Sequence, residues 1–282
     1  MNVFHFDDLK GKTAVVTGGS GGIGIAIVDA LLNVGANVVI LSRNTESAEQ
    51  ALTTIKADRS KAIAVMADVL DRTSLERAKD QIVKTCGAVD FLINCAGGNH
   101  PKATTAVEQI GASGGTGKEQ TIFGVDVNEF RNVFDLNLFG TLLPILVFSE
   151  AMVERKQGVI LNISSVSSFS PLTKVPAYSA SKASINNFTQ WLAVHFAKTN
   201  VRVNALSPGF FITSQNRFLL LDSETGNLTK RGEKIIEGTP MGRFGETNDL
   251  QGAALFLLSD LSKFVTGVVL PVDGGFTAYS GV

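Results

Sequence analysis

Residues 12–24 read Lys-Thr-Ala-Val-Val-Thr-Gly-Gly-Ser-Gly-Gly-Ile-Gly, a short apolar run that leads directly into a glycine-rich turn. The apolar run predicts a β-strand. After the turn, apolar residues recur on one helix face, at Ile23, Ile27, Ala30, Leu31 and Val34. When a strand, a turn and a helix follow in this order, the free N–H groups and the dipole of the helix N-terminus can face a bound anion. The glycines let the backbone approach a pyrophosphate closely. We therefore predict a dinucleotide site here. The alternative is a merely flexible glycine turn.

The rest of the chain alternates strand-like and helix-like segments. Strands are expected at 12–17, 37–41, 61–66, 89–93, 158–163, 201–206 and 268–272, and helices at 45–57, 71–85, 127–154, 176–199 and 247–258. This pattern indicates an α/β fold with a Rossmann-type, doubly wound, parallel sheet of seven strands and helices on both faces. Ligands bind outside the carboxyl ends of such strands, where Gly18, Asn94, Ser165 and Ser207 are expected. No repeat or linker is visible, so we expect one domain over residues 1–282.

Bulk composition limits the possible function classes. The chain has 282 residues, of which 44% are hydrophobic, enough for a sheet covered on both faces. A formal net charge of −1 gives no electrostatic case for binding nucleic acid or an anionic membrane. The most apolar long stretch, residues 136–153, contains several polar residues and predicts a buried or interfacial helix rather than a membrane span.

The cysteines indicate a reducing cellular compartment, and the positions of the histidines argue against a metal site. Cys86 and Cys95 form no CxxC pair, which favours free thiols in a reducing cytoplasm. No secretory signal is visible at the N-terminus. The three histidines, His5, His100 and His195, are far apart in sequence, so no metal ligand set is expected, and His195 is expected on a helix surface.

Tyr178 and Lys182 lie one helical turn apart, so both side chains are expected on the same face of one helix. A phenol titrates at about 10, and lowering its pKa to neutrality requires about 4 kcal/mol. One ammonium at about 4 Å supplies an interaction of that order. The pair can therefore form a general acid/base. By itself, the spacing is a weak signal, because it recurs by chance and an exposed helix pair accounts for it.

Several motifs occur together and in a fixed order from about residue 10 to about residue 275. They are the glycine turn, Asn94-Cys-Ala-Gly97, Asn137, Ser165, the Tyr178/Lys182 pair and Ser207-Pro-Gly209. This set resembles the short-chain dehydrogenase/reductase family over nearly the whole chain. The resemblance implies hydride transfer between a nicotinamide cofactor and a carbonyl or secondary alcohol.

The resemblance also implies a role for each catalytic residue. Tyr178 would give its phenolic proton to the carbonyl oxygen, and Lys182 would stabilise the phenolate and bind the nicotinamide ribose. Ser165 would donate to the oxygen that gains negative charge. Asn137 matches the family position that holds a water joining Lys182 to solvent.

The residues that the resemblance assigns to the cofactor are Gly18, Ser20, Gly22, Ile23, Gly24, Ser42, Arg43, Asp68, Val69, Asn94, Ala96, Gly97, Tyr178, Lys182, Pro208 and Gly209. The second strand ends in Leu41-Ser-Arg-Asn44, without an acid to accept from a ribose 2′-OH, so Ser42 and Arg43 favour NADP(H) over NAD(H). The family's additional basic residue is missing at Gly21, which weakens that inference. For Asp68, the alternative to an adenine contact is an N-cap of the following helix.

Two segments interrupt the alternation and are expected to define specificity. Residues 98–125 look like an insertion, and residues 210–245 occupy the place of the family's substrate lid. Candidates for binding a substrate's hydroxyls and carboxylate are His100, Lys102, Gln215, Asn216 and Arg217, together with Ser165 at the reacting oxygen. Solvated loop residues are the alternative for the five loop positions.

The substrate prediction depends on resemblance within the family. Residues 98–105, the insertion and Val272-Asp-Gly-Gly275 resemble a sugar-acid branch, of the D-mannonate oxidoreductase (fructuronate reductase) and gluconate 5-dehydrogenase type. The rival enzyme hypothesis is reduction of a 3-oxoacyl carrier or another hydrophobic ketone, which the phenylalanines and leucines of the lid support. A nucleotide-sensing protein of the same fold is the non-enzyme alternative.

Related enzymes form tetramers through the two long helices, where Leu142, Leu143, Phe148, Trp191 and Phe196 suit either an interface or the core.

Overall fold

Seven parallel strands form the central sheet in the computed structural model, which describes residues 5–55, 57–111, 117–213 and 216–281. The strand order is β3-β2-β1-β4-β5-β6-β7. The strands are β1 Thr13–Thr17, β2 Asn37–Ser42, β3 Ala62–Met66, β4 Val89–Asn94, β5 Gly158–Ile163, β6 Val201–Pro208 and β7 Val269–Val272. The order reverses between β1 and β4, which is the switch point where ligands bind in such sheets. The predicted fold class is confirmed.

Helices cover both faces of the sheet. They are α1 Gly22–Asn33, α2 Thr45–Thr53, α3 Arg72–Cys86, α4 Val127–Phe134, α5 Gly140–Arg155, α6 Pro176–Phe196, α7 Arg217–Leu220, α8 Lys230–Glu237 and α9 Gln251–Leu258. Buried residues of α1, α2 and α9 form one core cluster with the sheet, and those of α3, α5 and α6 form another. Successive strand residues alternate between the two clusters, Val16 facing one and Val15 the other, because side chains alternate across a strand. Both faces are therefore buried, as the continuous apolar strands predict.

Several predicted boundaries differ from the structure by a few residues, and local contacts or geometry accompany three of the differences. Helix α2 ends at Thr53 instead of residue 57. In its last turn the hydroxyls of Thr53 and Thr54 donate to the carbonyls of Gln50 and Ala51, local hydrogen bonds that compete with continuation of the helix. Strand β6 continues to Pro208 because that residue pairs with Val272 of β7. The helix expected at 127–154 is interrupted by a π-helical turn at Asp135–Phe139.

The segment Val127–Arg155 is long and apolar enough to cross a membrane by length and composition. Half of its most apolar window is buried inside the protein, and α5 packs against β4 and α3. The buried apolar residues of this segment therefore pack against the sheet and α3, as they do in a core helix. Phe148 and Met152 are fully buried there, so Phe148 belongs to the core, while Trp191 on α6 is exposed. His195 also lies on the exposed surface of α6, stacked on Trp191.

The carboxyl ends of the central strands lie side by side. Thr17 pairs with Asn94, and Asn94 pairs with Asn162 in the next strand. The Asn94 side chain donates to Asn162 Oδ1 at 2.9 Å, and Asn162 donates to Thr189 Oγ1 of α6 at 2.9 Å. All of these side chains are buried. This chain of hydrogen bonds ties β4, β5 and α6 together directly beside the edge where ligands are expected.

Candidate active site

The glycine turn between β1 and α1 leaves room for backbone contact with a ligand. Gly18 has a φ of +61°, and a Cβ there would lie 2.8 Å from the Cα of Ala96. A Cβ on Gly24 would collide with the carbonyl oxygen of Gly18. Only glycine satisfies both positions, and the turn then presents backbone N–H groups at the N-terminus of α1. These residues fit the pyrophosphate of a dinucleotide.

The ends of β2 and β3 lie next to that turn. Gly18 N donates to Leu41 O at 3.1 Å, and Ala67 N donates to Ser42 O at 3.0 Å. The Ser42 hydroxyl donates to Asn44 O, whereas Arg43 is exposed and has no ion-pair partner among the described residues. Arg43 is therefore free to meet an anionic group of a ligand.

Asp68 and Val69 follow β3 and hold its turn. The Asp68 carboxylate accepts from Leu70 N at 2.9 Å, while the N-cap of α3 is Asp71, which accepts from the N–H groups of Thr73 and Ser74. The N-cap alternative for Asp68 is therefore wrong. Val69 is buried and packs against Gly140 at the start of α5. The Asp68 carboxylate is thus part of this turn, and one of its oxygens accepts a hydrogen bond from the backbone.

A cleft of about 470 Å³ runs from the glycine turn to Tyr178. Predicted site residues that line it are Gly18, Ser20, Gly22, Ile23, Gly24, Ala96, Gly97, Ser165, Tyr178, Lys182, Pro208 and Gly209. Elements separated by most of the chain contribute to it, because every loop at this edge follows the carboxyl end of a strand. The cleft joins a phosphate-type site to a proton-transfer group.

Tyr178 and Ser165 meet in this cleft. The phenol hydrogen-bonds with the Ser165 side chain. Burial raises the pKa of Tyr178 above its ordinary value, and the hydrogen bond to Ser165 opposes the rise. The phenol is therefore protonated at neutral pH, as a proton donor must be. The sequence-based expectation was a pKa lowered by Lys182, whereas burial is the dominant influence in this structure.

Lys182 is 5% exposed, with Nζ 5.7 Å from the centre of the Tyr178 ring. Its ammonium donates to Ile163 O, the last residue of β5, at 2.7 Å. Burial lowers the pKa of Lys182 to about 8. The adjacent Cys95 adds no charge near neutrality, because burial raises the pKa of its thiol to about 12. Lys182 is thus a buried cation close to its own titration point.

Asn137 lies in the π-helical turn and is fully buried. Its Nδ2 donates to Gly98 O at 2.8 Å and to Val133 O at 2.9 Å, and its Oδ1 accepts from Gly98 N at 3.1 Å. A Cβ on Gly97 would lie 2.6 Å from Asn137 Oδ1 and 3.3 Å from Lys182 Nζ. The π turn therefore carries Asn137 to the base of the cleft beside Lys182, a placement often associated with such turns.

A hydrogen-bonded network that sequence reasoning missed holds the turn bearing Ser165. The Ser164 hydroxyl and Asn186 Oδ1 are bonded, and Asn186 Nδ2 donates to Ser168 Oγ at 2.7 Å. The Ser168 hydroxyl donates to the backbone carbonyl of Ser165. Asn186 lies one turn after Lys182 on α6, so it fixes the serine turn to the helix of the other two catalytic candidates. Its position four residues beyond Lys182 is the only trace of this in the sequence.

The predicted substrate residues lie farther out. His100 Nδ1 is 3.4 Å from both Lys102 N and Glu129 Oε2, so it accepts from the amide when neutral and pairs with the carboxylate when protonated. Lys102 and Arg217 are exposed. None of these three residues lines the described part of the cleft. Gln215 and residues 112–116 of the insertion lie outside the described residues.

Part of the cleft wall comes from the segments that follow β5 and β6. Asn216, one of the predicted substrate residues, lines it together with four residues that the sequence did not single out as ligands, Leu172, Phe210, Phe211 and Thr213. Thr213 packs so closely that a Cβ on Gly22 would lie 2.8 Å from its methyl group. Asn216 accepts from Thr213 N and donates to Phe211 O, which shapes this turn of the lid. The lid therefore rests directly on the glycine turn.

Comparison with known proteins agrees with this geometry. The family model described as short chain dehydrogenase matches residues 12–222. An uncharacterised oxidoreductase, UxuB, of Bacillus subtilis (strain 168) is 52% identical, with 98% of each chain covered. The crystal structure of a candidate D-mannonate oxidoreductase from Haemophilus influenza, with bound NAD, has a TM-score of 0.90 at 44% identity and covers 98% of this chain and 99% of that one.

A gluconate 5-dehydrogenase from Burkholderia cenocepacia J2315, solved with NADP and tartrate, is similar at lower identity. It has a TM-score of 0.79 at 28% identity and covers 97% of this chain and 99% of that one. All three proteins match over nearly their full length.

Replacing Asn186 tests the network behind Ser165. We expect Asn186→Ala to lower kcat about ten-fold and leave cofactor affinity unchanged, because small displacements of a reacting group cost up to about 100-fold in rate. Steady-state kinetics and cofactor titration measure the two effects. Asn187→Ala, an exposed neighbour on the same helix, is the control. An unchanged kcat in Asn186→Ala would show that the serine turn holds its position without this residue.

Proposed function

Since the chain belongs to the short-chain dehydrogenase family, and is therefore an oxidoreductase that acts on CH–OH groups, we propose that its substrate is a sugar acid of the D-mannonate and fructuronate type. The observation that carries the proposal is the meeting of Ser165, Tyr178 and Lys182 in one cleft that begins at the glycine turn. The sugar-acid assignment is supported by similar proteins named for mannonate and gluconate, one of them solved with tartrate, a hydroxy diacid.

The protein's own residues account for the proton transfer. A bound nicotinamide cofactor supplies or accepts the hydride. Tyr178, protonated and bonded to Ser165, donates its proton to the substrate oxygen during reduction and takes it back during oxidation. Ser165 also donates to that oxygen as negative charge develops, and the Lys182 ammonium favours the phenolate that remains. Asn137, beside Lys182, is the proposed support of a water leading to solvent.

The acid group of the substrate requires a cationic or multi-donor partner. In this proposal His100, Lys102 and Arg217 bind its carboxylate and hydroxyls from the two loops that border the cleft. Support comes from their position on segments that begin at Gly98 and at Gly209, both of which line the cleft. Closure of these loops over the substrate would bring the three side chains inward.

A hydrophobic ketone, including a 3-oxoacyl group, is the second candidate substrate. The observation that favours it is that three apolar residues, Leu172, Phe210 and Phe211, line the same cleft as Tyr178. A purely nucleotide-sensing protein would require none of the three catalytic side chains, and all three are in the cleft.

We propose NADP(H) as the preferred cofactor. Exposed Arg43, without an ion-pair partner among the described residues, and Ser42 stand where a 2′-phosphate is expected, and no acid follows β2 before Glu46. Of the similar structures, one contains NADP and the other NAD. The remaining predicted cofactor contacts, Ser20, Ile23, Asp68, Val69 and Asn94, belong to this proposal.

A homotetramer in the cytoplasm is the proposed state of the enzyme, with residues 1–282 acting as one domain. Exposed apolar side chains on the two long helices, Leu146, Trp191 and Val194, support contact between copies. Cys86 and Cys95 are free thiols, which fits a reducing compartment.

A substrate panel tests the proposed function. Turnover of NADPH and NADH, followed by nicotinamide absorbance, should be faster with fructuronate and 5-ketogluconate than with an acetoacetyl thioester. The Tyr178→Phe variant should lose about 10² to 10⁴ in kcat and keep its cofactor affinity, because only the transferable proton is removed. Preference for the thioester would transfer the assignment to the hydrophobic ketone. Undiminished turnover in Tyr178→Phe would remove this residue from the mechanism.

The cofactor assignment is tested at Arg43. We expect Arg43→Ala to weaken NADPH binding about 10- to 100-fold, because a charge-assisted hydrogen bond is lost, and to change NADH binding less than about two-fold. Fluorescence titration measures both constants. Lys84→Ala, exposed at the far end of α3, is the control. Equal losses for the two cofactors would contradict a 2′-phosphate contact.

The buried ammonium predicts a pH dependence. The pKa of Lys182 lies at about 8, so the ammonium is present below that pH and is lost as the pH rises through it. We therefore expect kcat/KM for carbonyl reduction to fall above about pH 8. Rates measured between about pH 6 and about pH 10 would show the decline. The residual activity of Lys182→Met should have no step in that region, and a step that persists would belong to another group.

A further inference from the structure

Two loops leave neighbouring positions at the active edge of the sheet. The first arm, residues 98–125, follows β4, and the second arm, residues 210–245, follows β6. Strand β5 lies between these strands and pairs with both. Ser165 follows the carboxyl end of β5. Any contact between the two arms therefore passes over the strand that carries the catalytic serine.

The first arm is attached to the catalytic helix. Its Ala103 is fully buried against Val133 and Ala177, and Tyr178 packs on the same cluster. Thr105 N donates to Lys174 O at 2.9 Å, which ties the arm to the segment between β5 and α6. The first arm is thus held beside Tyr178 at its root, while Glu108 lies beyond this attachment.

The second arm is closed at its base. Gly245 N donates to Phe210 O at 2.9 Å, and a Cβ on Gly245 would collide with the Phe211 ring. Between these ends the chain forms α7 and α8, with Leu220 and Ile235 buried beneath them. Lys234 on α8 is 67% exposed and extends away from this small core.

One ion pair links the two arms. Lys234 Nζ lies 2.6 Å from Glu108 Oε2, and no other hydrogen bond joins the arms within their described residues, 98–111, 117–125, 210–213 and 216–245. The hydrogen bond from Lys234 lowers the pKa of Glu108, and the nearby charges of Lys234, Lys174 and Arg231 act in the same direction. Glu108 is therefore an anion held by cations of α8 and of the segment between β5 and α6.

We propose that Glu108 and Lys234 are positioning residues, whose ion pair joins the arms into a bridge over the carboxyl end of β5 and fixes the outer wall of the substrate space above Ser165 and Tyr178. The inference rests on the proposed function only in requiring that a carbonyl substrate react at Tyr178. An exposed ion pair is weak, so the bridge opens to admit substrate and closes before the chemical step.

A double-mutant cycle tests the bridge. Glu108→Gln and Lys234→Gln should each raise KM about two- to five-fold with little change in kcat or in cofactor affinity. The double variant should have the KM of a single variant, because each substitution already breaks the same contact. Glutamine is the right replacement at position 108 because it is neutral. A cation there would be repelled by Lys174 and Arg231, whose charges lie near Glu108. Raising the ionic strength should increase the wild-type KM by a larger factor than the KM of the variants, which no longer have this ion pair to screen.

The matched control is Glu76→Gln, which breaks the exposed Arg72–Glu76 pair on α3 and should leave KM unchanged. Thermal unfolding of all variants separates a general loss of stability from a local effect. Additive changes in KM, or single variants with the wild-type KM and salt response, would overturn the proposal.

The cycle can be read with whichever carbonyl compound the wild type reduces, so failure of the sugar-acid assignment is distinguishable from failure of the bridge. Hydrogen exchange gives a readout without substrate. With saturating cofactor, amides of α8 should exchange faster in Glu108→Gln than in the wild type, and Glu76→Gln should match the wild type. Identical exchange in Glu108→Gln and the wild type would contradict the bridge independently of any activity.

Discussion

The hydrogen bond from the Lys182 ammonium to the carbonyl of Ile163 fixes the catalytic geometry. It joins α6 to the last residue of β5, inside the protein, where a charge without a partner would be costly. Tyr178 lies one helical turn before Lys182, and Ser165 lies two residues after Ile163. One contact between helix and strand therefore determines where the phenol stands relative to the serine hydroxyl.

The surrounding structure restricts that contact further. The buried chain Asn94–Asn162–Thr189 ties β4, β5 and α6 on one side, and Asn186 holds the serine turn on the other. Burial raises the pKa of Tyr178 and lowers the pKa of Lys182, so the two groups titrate farther apart than they would in water. Tyr178 is therefore held as a neutral proton donor, whereas the Lys182 ammonium is the first of the two groups to lose its proton as the pH rises.

Specificity depends on different parts of the chain. The cleft wall includes the apolar side chains of Leu172, Phe210 and Phe211, whereas the arms that extend beyond it carry charged side chains at Lys102, Glu108 and Lys234. Selection of a polar acid would then occur where the arms close, outside the rigid edge of the sheet. In enzymes of this architecture the strands of the sheet position the reacting groups, and the loops at their ends are the usual place for substrate selection.

The sequence by itself determined the fold, because apolar strands alternate with helical segments. It identified the glycine turn and the Tyr178/Lys182 pair from their chemistry, and Ser165 through resemblance to a family. The partners of those residues depend on contacts between distant segments, which no local pattern encodes. The π-helical turn at Asn137, the Asn186 network and the Glu108–Lys234 pair belong to this group. The direction in which the pKa of Tyr178 shifts also depends on contacts between distant segments. Spacing suggested a lowering by Lys182, but only the tertiary structure brings the surrounding chain close enough for burial to raise it instead.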